Sequence, residues 1–346
     1  MEKPAQFRVE TNTLATATVM TALVAFSTAT AAEQVTIDNF VRAESDLYFG
    51  NVVKDGGFGK FFHRREPATI ENQTIIRLNR DTLYSGAVFD LEAGPLTITL
   101  PDAGKRFMSL LAINEDHYVT DVSYEGVSTF TKETAGTRYM VIAIRTFVDP
   151  SNPKDVEQVH ALQDAIKIEQ PGGPGKFEAA DWDAASQKKV RDALLILATT
   201  MSDFNKSFGS KDEVDPVRHL VSSAAAWGGN PDKDATYLNV TPDKNDGKTI
   251  YKLNVKDVPV EGFWSISLYN SKGYYEKNPY GAYSLNDVTA QKNADGSISV
   301  QFGGCDGKIP NCLPIMAGWN YTVRLYRPRE SVLDGTWHFP VPQPLN

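Results

Sequence analysis

Two short runs of this chain hold residue types that do acid–base or binding chemistry. Asn79-Arg80-Asp81-Thr82-Leu83-Tyr84 sets four polar groups within six residues. Asp81 and Arg80 would orient a polar ligand beside Asn79, and Tyr84 would donate a proton or offer a stacking surface. The same residues suit a buried turn in which Asn79 and Asp81 cap backbone groups. Asn114-Glu115-Asp116-His117-Tyr118 sets a carboxylate pair beside an imidazole that titrates near neutrality, the elements of acid–base catalysis or of a metal site. No second histidine stands at ligand spacing, so no metal is assigned, and the opposing reading is a solvated, charged loop. Asp81, His117 and Tyr84 are thus the candidate catalytic groups, with Asn79, Arg80 and Asp116 as candidate ligand contacts.

The C-terminal half adds aromatic surface. Trp264 shares a strand face with Ile266 and Leu268 and reads as core, whereas Tyr274, Tyr275 and Tyr280 fall between strands. Tyr274 and Tyr280 are therefore the candidates for stacking a sugar or planar ligand. Arg324 would pair with a ligand carboxylate or with Asp81. His63, His160 and His219 read as surface or packing residues, and His338 as lining a pocket or covering a sheet. Cys305 and Cys312 are the only cysteines, with turn formers between them, and read as a small-loop disulfide. Gly303-Gly304-Cys305-Asp306-Gly307 has the letters of a nucleophile elbow, but Pro310 and Pro314 oppose the helix that an elbow requires.

These residues need elements to hold them. Val35 to Phe49 repeats apolar residues at helical spacing, with Thr36 as cap. Strand patterns follow at Gln73–Arg77, Ser85–Leu91, Leu96–Leu100, Phe107–Ile113 and Tyr139–Phe147, punctuated by turn residues. The period then changes. Asn152-Pro153 opens a helix closed by the Pro171–Gly175 run, a second helix spans Ser186 to Phe208, and Asp215-Pro216 opens a third. Strands return at Thr249–Val255, Gly262–Tyr269, Ser297–Gln301 and Trp319–Tyr326. The expected organisation is a β-sandwich over 35–150, a helical segment over 151–230 and a jelly-roll-like sandwich over 231–346.

Composition narrows the classes. The chain has 346 residues, 41% hydrophobic and 10% aromatic, enough to bury cores in two or three domains. Its net charge of -8 would repel a phosphate backbone, so nucleic acid is not an expected partner. The body of the chain has no apolar run long enough to span a bilayer repeatedly. Residues 1–31 read as an export signal: Lys3 and Arg8 precede an uncharged stretch that closes on Ala29-Thr30-Ala31. A periplasmic or secreted protein follows. The sequence leaves any cofactor open, and no phosphate-binding loop or G-x-S-x-G pattern is present.

Asn79–Ser85, followed by Phe89-Asp90-Leu91 and Leu100-Pro101, resembles the signature of mostly bacterial, mostly exported proteins that join DUF 1254 to DUF 1214. The second half is similar to the same family in Gly262–Tyr269, in Arg324-Leu325-Tyr326-Arg327-Pro328 and in Leu333-Asp334-Gly335-Thr336-Trp337. The likeness runs from about Val35 to Pro342. It implies an immunoglobulin-like sandwich, a helical segment and a jelly roll, and it implies no agreed activity. One departure stands out: the family commonly reads NWLP where this chain has Asn311-Cys312-Leu313-Pro314, which supports the local disulfide. Three functions remain open: binding of a small polar or aromatic ligand or glycan between the sandwiches, hydrolase or lyase chemistry, and assembly as a homo-oligomer. Asp81, Tyr84, His117 and Arg324 converging on one concave site would favour an enzyme. The same residues scattered as turn caps, with an aromatic groove elsewhere, would favour binding, and a large exposed apolar face on either sandwich would favour assembly.

Overall fold

The computed structural model describes residues 32–73 and 76–345, so the expected export signal lies outside the described residues. The fold is mainly β with a few helices. Its first part comprises α1 (Phe40–Lys54), β1 (Phe62–His63), β2 (Thr82–Asp90), β3 (Leu96–Thr99), β4 (Met108–Asn114), β5 (Val119–Ser123), β6 (Val127–Phe130), the one-turn α2 (Lys132–Ala135) and β7 (Tyr139–Phe147). Then come α3 (Pro153–Asp164), β8 (Lys167–Glu169), α4 (Ala184–Ala198) and α5 (Pro216–Ala225). The last part holds β9 (Ala235–Val240), β10 (Tyr251–Val255), β11 (Trp264–Tyr269), β12 (Ser284–Asn286), β13 (Ile298–Phe302), β14 (Cys312–Leu313), β15 (Asn320–Tyr326), α6 (Glu330–Leu333) and β16 (Gln343–Pro344).

The first part is layered. A sheet of order β1-β2-β7-β4-β5 meets a smaller sheet, β6-β3-β8, over a core that includes Phe89, Leu96, Ile98, Leu110, Met140 and Ile142. Alternation sends Val88, Leu111, Ile113 and Val141 to the opposite face, where Phe49 of α1 packs on them. Covered on both faces, β4 is buried throughout, which explains its continuous apolar run Leu110–Ile113.

Several elements depart from expectation. Helix α1 starts at Phe40, after Asn39 rather than Thr36, and buries Phe40, Ala43 and Phe49 while Ile37 and Leu47 are exposed. Glu44 is also inside, because Arg191 donates to it from Nε (2.8 Å) and Nη2 (2.5 Å). Strand β8 lies within the span expected to be helical and pairs with β3. Helix α4 ends at Ala198 instead of reaching Phe208, since the hydroxyls of Thr199 and Thr200 donate to the carbonyls of Ile196 and Leu197 (2.7 Å each) and close the last turn. The described residues of the Gln73–Arg77 run (73, 76 and 77) lie outside strands. Pro153 and Pro216 do open helices, behind Asn152 and Asp215 caps that accept from backbone amides.

In the last part, sheets of order β14-β13-β10-β16 and β12-β11-β15-β9 share one core. Trp264, Ile266 and Leu268 of β11 and Tyr321, Val323 and Leu325 of β15 point into it. The other face of that second sheet carries Ser265, Ser267, Tyr269, Thr322, Arg324 and Tyr326, yet these residues are buried too. The first part of the chain lies on this face. An aromatic joint closes part of the contact, with Phe263 4.9 Å from Phe147, 5.2 Å from Phe107 and 4.4 Å from Tyr326 between ring centroids. A disulfide joins Cys305 to Cys312.

Candidate functional site

Beside the joint, the two parts leave a cavity of about 450 Å³. Its walls come from the end of α1, from residues 77–79, from β2 and β7, from Trp227 after α5, and from β9 and β15. Strand register explains the groups that face it. Tyr84 and Arg145 are direct cross-strand partners on β2 and β7, and the Arg145 guanidinium lies over the Tyr84 ring, 5.5 Å from its centroid. Arg324 and Tyr237 are partners on β15 and β9 in the same way.

Residues 77–81 are strapped across the polar face of the second sheet. Arg324 Nη2 donates to the Arg77 carbonyl (2.7 Å), and the Tyr269 hydroxyl donates to the Leu78 carbonyl (2.8 Å). The Asn79 amide donates to Tyr326 Oη (3.1 Å) and, less closely, to Tyr84 Oη (3.4 Å). Asn79 Oδ1 accepts from the Asp81 backbone N–H (2.9 Å), so this residue both caps a turn and faces the cavity.

The electrostatics are one-sided. Among the described residues no carboxylate lies within 4.0 Å of the Arg77, Arg145 or Arg324 guanidinium groups. Burial opposes the charge on Arg324, but Tyr269, Tyr326 and Tyr275 around it hold its pKa well above the ordinary value. Arg145 is raised against its own burial by Tyr84, Tyr237 and Tyr326. Arg77 is lowered by burial and by the neighbouring Arg324. Burial pushes the Tyr84 phenol up, yet the Arg145 charge, the hydrogen bonds from Thr82 and Asn79 and the Arg324 charge together outweigh it and leave Tyr84 more acidic than usual. Another cavity, of about 550 Å³, differs in kind: it includes Asp203, Glu213 and Lys233, with Arg218 on Asp203 (2.9 Å) and Lys233 on Glu213 (2.7 Å) already paired, and His338 on its wall.

Of the residues singled out from sequence, Asn79, Tyr84 and Arg324 line the 450 Å³ cavity. Asp81 is off its wall and fully buried. Its Oδ1 accepts from Asn286 Nδ2 (3.2 Å), Oδ2 has no partner among the described residues, and burial raises its pKa against the Arg324 charge. His117 stands elsewhere. The loop that carries it is tucked beneath α5 rather than solvated, and the imidazole is 1% exposed between Trp227, His219 and Phe208. The Gly228 N–H donates to its Nε2 (2.9 Å), leaving Nδ1 to donate to Ser223 Oγ (3.0 Å). Burial, then His219, pushes its pKa well below the ordinary histidine value. His117 thus positions the Trp227–Asn230 segment, whose Gly228 carbonyl and Asn230 Oδ1 accept from Arg145 at 3.2 and 3.1 Å.

The remaining candidates disperse. Asp116 pairs with Arg42 of α1 (2.5 Å). Arg80 donates to the Ala68 carbonyl and lies over Tyr283; with Tyr280 it lines a separate cavity of about 400 Å³. Tyr280 donates to the Cys305 carbonyl (2.8 Å), while Tyr275 is buried against Tyr269 and Tyr274 lines none of these cavities. His63 lies 2.7 Å from Ser85 Oγ, and His160 the same distance from the Arg65 carbonyl. Among the described residues no three His, Cys, Asp or Glu side chains gather as metal ligands would.

Sequence reasoning missed Arg77, Arg145, Tyr237, Tyr326 and Trp227. Arg145 did carry a signal: it interrupts the apolar run Tyr139–Phe147, where a buried charge requires a reason. Trp227 and Tyr237 carried none, since only the docking of the two parts brings them to one place.

Residues 58–128 match the family described as "Protein of unknown function (DUF1254)", and residues 234–330 match "Protein of unknown function (DUF1214)". The crystal structure of the VPA0106 protein from Vibrio parahaemolyticus is similar, with a TM-score of 0.69 at 17% identity over 90% of this chain and 98% of that one. An uncharacterised protein from Burkholderia cenocepacia gives a TM-score of 0.50 at 15% identity over 89% of this chain and 87% of its own. At such identities the likeness concerns the fold alone. No curated protein matches the chain. The protein therefore carries a DUF1254 domain followed by a DUF1214 domain, both of unknown function.

Proposed function

We propose that this protein binds a small polar or aromatic ligand in the 450 Å³ cavity between its two β-rich parts, and that it does so outside the cytoplasm. The observation that carries the binding reading is the convergence of Asn79, Tyr84 and Arg324 with Arg77, Arg145, Tyr237 and Tyr326 on one concave surface. Its volume falls in the range of about 300–1,000 Å³ that suits small molecules. Binding is favoured over acid–base catalysis because the candidate general base, His117, is locked into a packing role away from this surface. The disulfide supports export, and among the described residues no helix is long and apolar enough to cross a membrane.

Ala143 sits on β7 two residues before Arg145 and lines the cavity. A thermal-shift screen of small metabolites should raise the melting temperature of the parent protein and leave a cavity-filling Ala143→Leu variant unmoved. Ligands that stabilise both proteins equally would place binding elsewhere and overturn the reading.

A further inference from the structure

Resting on that reading, we propose that the ligand is a carboxylate carried on an apolar or aromatic body. Asn79 Oδ1 is occupied by the Asp81 N–H (2.9 Å), and Ser85 Oγ accepts from Gln163 Nε2 (3.3 Å). The hydroxyl oxygens of Tyr84 and Tyr326 accept from Asn79, and that of Tyr237 accepts from Asn230 Nδ2 (2.9 Å). Among the described residues the Tyr237 and Tyr326 hydroxyls find no acceptor for their own protons, while the Thr82 hydroxyl lies beside that of Tyr84.

The guanidinium groups are under-used in the same sense. Among the described residues the Arg77 guanidinium donates to one acceptor, Thr322 Oγ1 (2.8 Å), and that of Arg145 to Asn230 Oδ1 and the Gly228 carbonyl with Tyr84 beside it, although each has five N–H donors. The carboxylate at the mouth, Asp55, is taken by Arg64 (3.2 Å). The walls therefore offer spare N–H and O–H donors, with the acceptors named above occupied. They also offer positive charge that no carboxylate among the described residues pairs directly, the buried Asp81 acting on Arg324 only from beyond 4.0 Å. Buried cations held without counter-charges are costly, and a ligand oxyanion would supply both the charge and the acceptors.

The body of the ligand follows from the other walls. Phe62, Leu78 and Trp227 line the same space, and Trp227 is held rigid by stacking on Tyr48 (4.5 Å) and His117 (5.1 Å). A bare inorganic ion would leave these surfaces unmatched and most of the 450 Å³ filled only by solvent. Planar guanidinium groups beside an aromatic wall suit a flat carboxylate with an apolar body.

Calorimetric titration of the full-length protein with benzoate, phenylacetate and indole-3-acetate, each against its neutral amide, tests this. The carboxylates should bind about tenfold or more tightly than their amides, the scale of one charge-assisted hydrogen bond. Arg77→Met should remove most of that preference, and Tyr237→Phe, which deletes only a hydroxyl, should weaken carboxylates and spare amides. Circular dichroism and melting temperature identify a variant that fails to fold, and the tyrosine change then decides. Equal binding of acids and amides, both lost in Ala143→Leu, would overturn the charge assignment and leave the cavity reading standing. Carboxylate binding that persists in Ala143→Leu would overturn both. Inorganic phosphate binding as tightly as the carboxylates would overturn the apolar body, and absence of carboxylate binding at millimolar concentration would overturn the proposal outright.

Discussion

At the scale of single residues, burial decides what each titratable group does. His117 has the composition of a general base and the environment of a structural strut. Its Nε2 is occupied by a backbone N–H, and its folded pKa lies well below that of a free histidine. The unfolded chain takes up a proton near pH 6.5 while the folded ring resists it. Stability from this site is therefore complete above that pH and is lost as pH falls toward the folded value, by at most about 1.4 kcal/mol per pH unit. His117 has a positive φ of 62°, which asparagine tolerates, so His117→Asn separates the ring from the backbone. Urea unfolding of this variant should show a cost of about 2–4 kcal/mol at pH 7.5. The cost should shrink at pH 5.5, because the variant lacks the acid-sensitive ring. A cost that does not change with pH would show that the neutral ring is not what the fold uses.

At the scale of elements, register does the positioning. Tyr84 reaches the cavity because it lies opposite Arg145 on a neighbouring strand, and its even-numbered neighbours on β2 share that face. The short β14 begins at Cys312, which the disulfide ties to the turn after β13. Closing so small a loop restricts the unfolded chain by about 2–3 kcal/mol. Replacing both cysteines, Cys305→Ser with Cys312→Ser, should lower denaturant stability by that amount, and dithiothreitol should do the same to the parent. A double variant of unchanged stability would mean that β14 is held by its pairing with β13 alone.

At the scale of the whole molecule, a chain of net charge -8 keeps a set of arginines away from carboxylates at the contact between its two parts. Overall charge governs solubility and long-range steering, whereas local geometry governs recognition. The contact is polar around the cavity and aromatic beside it. Phe263 is buried among Phe107, Phe147 and Tyr326, so Phe263→Ala should cost about 3–5 kcal/mol. Differential scanning calorimetry should show a lower melting temperature and separate unfolding of the two parts. A loss under about 1 kcal/mol would mean that the aromatic joint does not hold them together.

The β-rich character, the Pro153 and Pro216 helix starts, the disulfide and the candidacy of Asn79, Tyr84 and Arg324 were readable from residue types and spacing alone, because period, capping and turn chemistry are local. The ends of α1 and α4 were not, since side-chain hydroxyls and long-range packing stopped the helices where the apolar pattern continued. Nor was the division between Tyr84, which faces a cavity, and His117, which packs beneath a helix. Both sit at β-rich polar runs, and only the docking of one sheet's polar face onto another part of the chain determines which polar group is enclosed, which is opposed and which is left facing open space.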